Sequence, residues 1–257
     1  MKRITTALIL IPLFVYLVLW SPHLVFLAAV CAVGMLCFHE YSGLVALHTT
    51  PPPGIFGYAA GLLVLLLPGN SIAFVILIAL FALALGLRAS ELSETLPFAA
   101  CLVFGVLYIF GALRAGVELR DHSVYWLLFA LSLNWVGDIA ALYVGKAFGR
   151  HKLSPRISPG KTWEGAAGSM LAAIAYGAVY FPKLLPAVPI AQGLAIAAVG
   201  NVAGQIGDLA ESAMKRGAGV KDSGTLLPGH GGWLDRLDSS LFALPVVYFL
   251  LINLGIH

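Results

Sequence analysis

Charge is what this sequence lacks most. Only 11% of its 257 residues are Asp, Glu, Lys or Arg, against about 25% in an ordinary globular domain. A soluble chain of this size could not cover its core with so little polar surface, and 60% of the residues are hydrophobic. Cysteine is scarce as well. Cys31, Cys37 and Cys101 all lie in apolar stretches, which argues for packing residues and against a disulfide framework or a zinc site. No polar stretch is long enough for a separate soluble domain, and no internal repeat is visible. The composition is that of an all-α, polytopic integral membrane protein.

Apolar runs define about nine helices, near 4–20, 23–47, 55–67, 71–87, 97–117, 123–146, 163–182, 190–214 and 233–255. A spanning helix needs about 20 residues. The third run is short, so 55–87 reads as a hairpin of short helices hinged at Pro68-Gly69-Asn70. The opening run resembles a secretory signal but has no small-x-small cleavage site, and is read as an uncleaved first helix. Runs such as Gly165–Ala178 are rich in small residues, which let helix backbones approach closely in lipid.

Nine spans with a cytoplasmic N-terminus put 12 of the 15 Lys and Arg residues on the inner side. Among these are Lys2, Arg3, Arg88, the 146–161 loop and the 215–236 block; only Arg114, Arg120 and Lys183 fall outside. Both large polar loops then face the cytoplasm. The whole chain reads as one membrane domain, with residues 1–122 mainly structural and 123–257 carrying the chemistry. His39 and Glu40, isolated in the first part, are expected to be interfacial groups at a helix end.

The sparse charges are concentrated. Nine of the 27 lie between Asp208 and Asp238, and ionisable groups beside a membrane mark a functional site by default. Upstream, Asn134 and Asp138 are four apart and share a helix face. A bare structural role for Asp138 would be a buried pair with a lysine of another helix. The stretch from Ser154 to Gly165 places Ser158, Lys161 and Glu164 at the mouth of a helix capped by Thr162 or Ser158, which suits a phosphate. Gly160-Lys161-Thr162 is not the end of a phosphate-binding Walker loop, because Pro155 stands where its first glycine would be.

Asn201, Gln205, Asp208, Ser212 and Lys215 form one polar stripe at helical spacing. Glycines in 217–232 let backbone N–H groups approach phosphate. Asp235 and Asp238 are three apart at the start of the last helix. With Asp208 they form an oxygen-rich set suited to a hard cation such as Mg2+. The presence of a second cation stays open. His230 has an alternative as an ordinary loop hydrogen-bonder. A transporter with a polar pathway is the rival class, but transporter sites lie near the midplane and these charges crowd one end.

Ser212-x-x-Lys215-Arg216, then Lys221-Asp222 after four residues, His230-Gly231-Gly232 and Asp235-Arg236-x-Asp238 resemble the signature of the phosphatidate cytidylyltransferases (CDP-diacylglycerol synthases), with every fixed position matched. Asn134-Trp135 with Gly137-Asp138, and Ser158-Pro159-x-Lys161 with Glu164-Gly165, also look like the family. The resemblance implies transfer of a cytidylyl group from CTP to phosphatidate with a divalent metal, and a homodimer in a bacterial inner membrane. A related transferase acting on another lipid phosphate or a polyprenol is the alternative. No nucleic-acid partner is expected. Asp208, Asp235 and Asp238 are the expected metal ligands. Lys161, Lys215, Arg216, Lys221 and Arg236 are the expected phosphate-binding and catalytic cations. Asp138, Glu164, Glu211, Asp222 and His230 are expected around the catalytic site. Asn134, Ser158, Ser212, Gly231 and Gly232 complete the expected substrate contacts.

Overall fold

The computed structural model describes residues 12–48, 50–67, 72–89, 91–227, 229 and 231–256. The expectations for Lys2, Arg3, Pro68-Gly69-Asn70 and His230 concern residues outside them. Among the described residues the chain is helical almost throughout. Helix α1 is described over 12–19. It is followed by α2 (His23–Leu47), α3 (Gly54–Leu66), α4 (Ile72–Gly86) and α5 (Leu92–Gly105). A π-helical stretch (Val106–Gly111) then runs directly into α6 (Ala112–His122). The remaining helices are α7 (Val124–Phe148), α8 (Trp163–Leu184), α9 (Ile190–Gly217) and α10 (Leu234–Asn253).

Among the described residues, five helical segments are long and apolar enough to cross a membrane: α2, the continuous 92–122 segment, α7, α8 and α9. Large apolar side chains such as Leu77, Leu80, Ile139 and Leu171 stay exposed, as expected of surface that meets lipid. The 146–161 segment, read from sequence as a plain loop, contains a short antiparallel hairpin of β1 (Lys152–Ser154) and β2 (Ser158–Thr162). Each strand is too short and too polar to give an alternating pattern, which is why the sequence reading missed it.

The chain divides into two compact units. The first holds residues 1–114 and 214–236. Its core is aromatic: Phe38 is fully buried and its ring meets those of Tyr41, Tyr58 and Phe110. Gly61 on α3 lies so close to the Phe110 ring that a Cβ would collide with it. Two polar side chains fasten neighbouring helices through backbone carbonyls. Tyr41 donates to the Cys101 carbonyl at 2.8 Å, and Arg114 donates to the Leu65 carbonyl at the end of α3, also at 2.8 Å.

The second unit holds residues 115–213 and 237–257. Trp126, Phe129, Tyr176, Tyr180 and Phe181 pack ring against ring between α7 and α8. Ser132 and Tyr176 share a hydrogen bond of 2.7 Å, and the Tyr180 hydroxyl donates to the Tyr125 carbonyl. Deeper polar groups also pair with each other. Asn201 donates to Ser169 at 3.0 Å, and Gln205 donates to Asn201 at 2.7 Å and to the Ala166 carbonyl at 3.3 Å. The upper part of the α9 polar stripe is therefore a seam against α8, where each buried amide is satisfied inside the protein.

Candidate active site

The lower end of that stripe carries charge. Lys161 leaves β2 just before α8 and places its ammonium 2.6 Å from an Asp208 carboxylate oxygen on α9. Both side chains remain about a quarter exposed, at 26% and 28%. The hairpin makes this contact possible. Thr162 is buried, caps α8 by accepting from the Gly165 N–H at 3.1 Å, and presses on Gly149, where a Cβ would collide with it. Asp138 on α7 interacts electrostatically with both Asp208 and Lys161. A buried pair between Asp138 and a lysine of another helix is not what the structure shows: Asp138 is exposed, and the lysine that acts on it lies in β2 and pairs with Asp208. Ser212, one turn along α9, donates to Asp208 at 3.4 Å.

Other expected site residues in this unit have different positions. Glu164, in the first turn of α8, receives the His151 ring nitrogen at 2.6 Å and the His151 backbone N–H, so it fastens the entry to the hairpin. Asn134 is buried, donates to the Ala130 carbonyl, and lies against Gly204 where α7 meets α9. Ser158 lies in β2 and Glu211 is fully buried. Asp238 accepts from the Ser239 N–H, and its own carbonyl packs against Gly207 on α9.

The signature segment from Met214 to Arg236 lies in the other unit. Its anchor is a buried ion pair, with Lys215 donating to Asp235 Oδ1 at 2.5 Å and side-chain exposures of 10% and 4%. The second oxygen, Oδ2, accepts from the Gly232 N–H at 2.8 Å and the Ser223 N–H at 3.0 Å. Asp235 therefore ties the end of α9 to both ends of the loop. Gly231 adopts φ +78°, in the left-handed region that glycine tolerates, as the chain turns toward Asp235.

A pocket of about 540 Å³ opens in this loop, lined among others by Lys221, Asp222, Gly224, Thr225, Gly231 and Arg236. Two cations, one carboxylate and glycine backbone thus surround one cavity, a lining whose net charge is positive. Arg216 is exposed and donates to the Val220 carbonyl, which closes the turn after α9.

One residue of this site was misjudged from sequence. Glu40 is no interfacial cap: it is 4% exposed and accepts from Ser223 Oγ, the Trp233 N–H and the Leu234 N–H, each at 2.9 Å. Its only sequence signal was a lone carboxylate in an apolar helix, which gives no hint of a partner nearly the whole chain away.

The carboxylates can be tested for fit to a metal. Among the described residues no three or more His, Cys, Asp or Glu side chains gather into a closed metal cage. Asp138 and Asp208 interact with one another while sharing one lysine, which leaves net negative charge and oxygen donors. That donor set fits a magnesium ion that takes one or two carboxylates and completes its shell with substrate phosphate and water.

The Cytidylyltransferase family model matches residues 1–254, and the chain belongs to that family of nucleotidyltransferases. Among its relatives is a phosphatidate cytidylyltransferase of Bacillus subtilis, 35% identical over 97% of each chain. Another, from Brucella suis, is 37% identical over 96% of this chain and 91% of its own. A third, from Staphylococcus aureus, is 33% identical over 98% and 99%.

Proposed function

We propose that this chain transfers the cytidylyl group of CTP to phosphatidate, releasing pyrophosphate and leaving CDP-diacylglycerol in the bilayer. The observation that carries the reading is the glycine-lined pocket of the signature loop, with Lys221 and Arg236 on its wall. In the reaction a phosphatidate oxygen forms a bond to the α-phosphorus of CTP, and the bond from that phosphorus to the oxygen bridging to the β-phosphate breaks. The nucleophile is already an anion, so the task of the protein is neutralisation and alignment of two phosphates.

Lys221 and Arg236 bind CTP phosphates, with Arg216 and the backbone at Gly231 and Gly232 in support. Lys215 acts through Asp235, holding the loop in shape. Lys161 meets a phosphate oxygen in exchange for, or alongside, Asp208. Asp208 and Asp138, with Asp238 as a further candidate, would hold Mg2+, which would supply neutralisation of charge on the transferred phosphate. Asp235 is occupied by Lys215 on Oδ1 and by two loop N–H groups on Oδ2, so its first role in this reading is to hold the loop.

The protein spans a bacterial inner membrane nine times, with both polar segments in the cytoplasm, where CTP is available. It works as a homodimer. The positive-inside distribution of Lys and Arg supports this orientation. The test is formation of a labelled CDP-lipid from labelled CTP and phosphatidate by the purified protein, with and without Mg2+. Label that reaches a polyprenol phosphate and not phosphatidate would replace the substrate.

A further inference from the structure

We propose that Glu40 is a positioning residue that holds the signature loop in its CTP-binding shape from within the N-terminal helices. The proposal rests on the cytidylyltransferase reading above. A carboxylate buried to 4% exposure is costly unless its oxygens are satisfied, and here the loop satisfies them. Oε1 accepts from the Trp233 N–H, while Oε2 accepts from the Leu234 N–H and from Ser223 Oγ. Trp233 and Leu234 open α10, where backbone N–H groups have no carbonyl partner within the helix and the helix dipole favours negative charge. Glu40 therefore caps α10 from a different helix.

Ser223 connects this cap to the second anchor. Its hydroxyl goes to Glu40 and its N–H to Asp235 Oδ2, which also accepts from Gly232. Two carboxylates thus grip the loop at its start, at Ser223, and at its end, at Gly232 to Leu234. The phosphate-binding candidates lie just beyond these grips: Lys221 stands two residues before Ser223, and Arg236 two residues after Leu234. Both line the pocket. The fit is close enough to restrict the loop sequence, because a Cβ at Gly224 or Gly232 would run into the Glu40 carboxylate. A shift of Glu40 therefore moves the two cations relative to each other. That is a change in phosphate binding as well as in stability.

The experiment uses purified full-length Glu40→Gln, Glu40→Asp and Ser223→Ala proteins. It reads KM for CTP, kcat, melting temperature, and amide hydrogen exchange across 221–234 without substrate. Glutamine keeps the size but turns one acceptor into a donor aimed at an N–H. It should raise KM for CTP about tenfold or more, as expected for losing a hydrogen bond to a charged acceptor, and speed loop exchange by a similar factor. Aspartate, which keeps the charge, should recover part of the KM. Ser223→Ala removes one bond and should move KM and exchange the same way by a smaller factor.

A Glu40→Gln protein with wild-type KM and wild-type loop exchange overturns the proposal, even if its melting temperature falls. If Glu40→Gln does not fold, unchanged KM and exchange in Ser223→Ala overturn it instead. Loop exchange judges the anchoring without turnover, so a wild-type protein unable to make a CDP-lipid counts against the functional reading alone.

Discussion

Lys161 reaches Asp208 at 2.6 Å from a hairpin strand, so the two charges that most suggest phosphate and metal chemistry neutralise each other. On the proposed reading, a substrate phosphate would compete with Asp208 for the lysine. Because both side chains are partly exposed, the pair itself adds little to stability.

Lys161→Met should therefore leave the melting temperature nearly unchanged. The efficiency kcat/KM for CTP should fall by about tenfold to a hundredfold, the loss expected for a charge-assisted contact to substrate. Initial rates across CTP concentrations decide it. Unchanged efficiency at low CTP would return Lys161 to a solvated loop charge.

Asp235→Asn tests a different kind of pair. Lys215 and Asp235 are buried together, and removing one charge strands the other at a cost of roughly 3–5 kcal/mol. The melting temperature should drop, and turnover should fall with it because the loop loses its tie to α9. Added magnesium should not restore either. Turnover and melting temperature are measured on one preparation. Near-normal turnover in a destabilised protein would show that the tie to α9 is not needed for activity, and would count against any metal-binding role for Asp235.

Gly137→Ala separates packing from chemistry. A methyl there would collide with the Asn201 amide and the Ser169 hydroxyl, which bond to each other in the seam between α8 and α9. The expected cost is about 1–3 kcal/mol of stability. KM for CTP in the protein that remains folded should be unchanged. Thermal melts and steady-state kinetics check both halves of this expectation.

Topology can be read with single cysteines after Cys31, Cys37 and Cys101 are replaced. Arg156, in the turn between β1 and β2, and Ala187, in the segment between α8 and α9, are both exposed. A cysteine at 156 should react with a membrane-impermeant thiol reagent only once the cytoplasmic face is opened, and one at 187 should react in intact cells. Reversed labelling would invert the orientation.

The sequence by itself determined the helices, since α2, α7, α8 and α9 lie within a few residues of the apolar runs that announced them. In lipid, backbone polar groups must be satisfied within the segment, so hydropathy and helix are nearly one statement. It also determined the alignment of Asn201, Gln205, Asp208 and Ser212 along α9, which depends on spacing alone, whereas the cap of α8 stood between Thr162 and Ser158 until the fold selected Thr162. Only the tertiary structure decided what those residues meet. The β1–β2 hairpin that brings Lys161 to Asp208, the burial of Lys215 with Asp235, and the grip of Glu40 on a loop near the other end of the chain are all contacts across distance in sequence. The reason is physical: a buried charge requires a partner, but which partner depends on the three-dimensional path of the chain, and no local periodicity encodes that path.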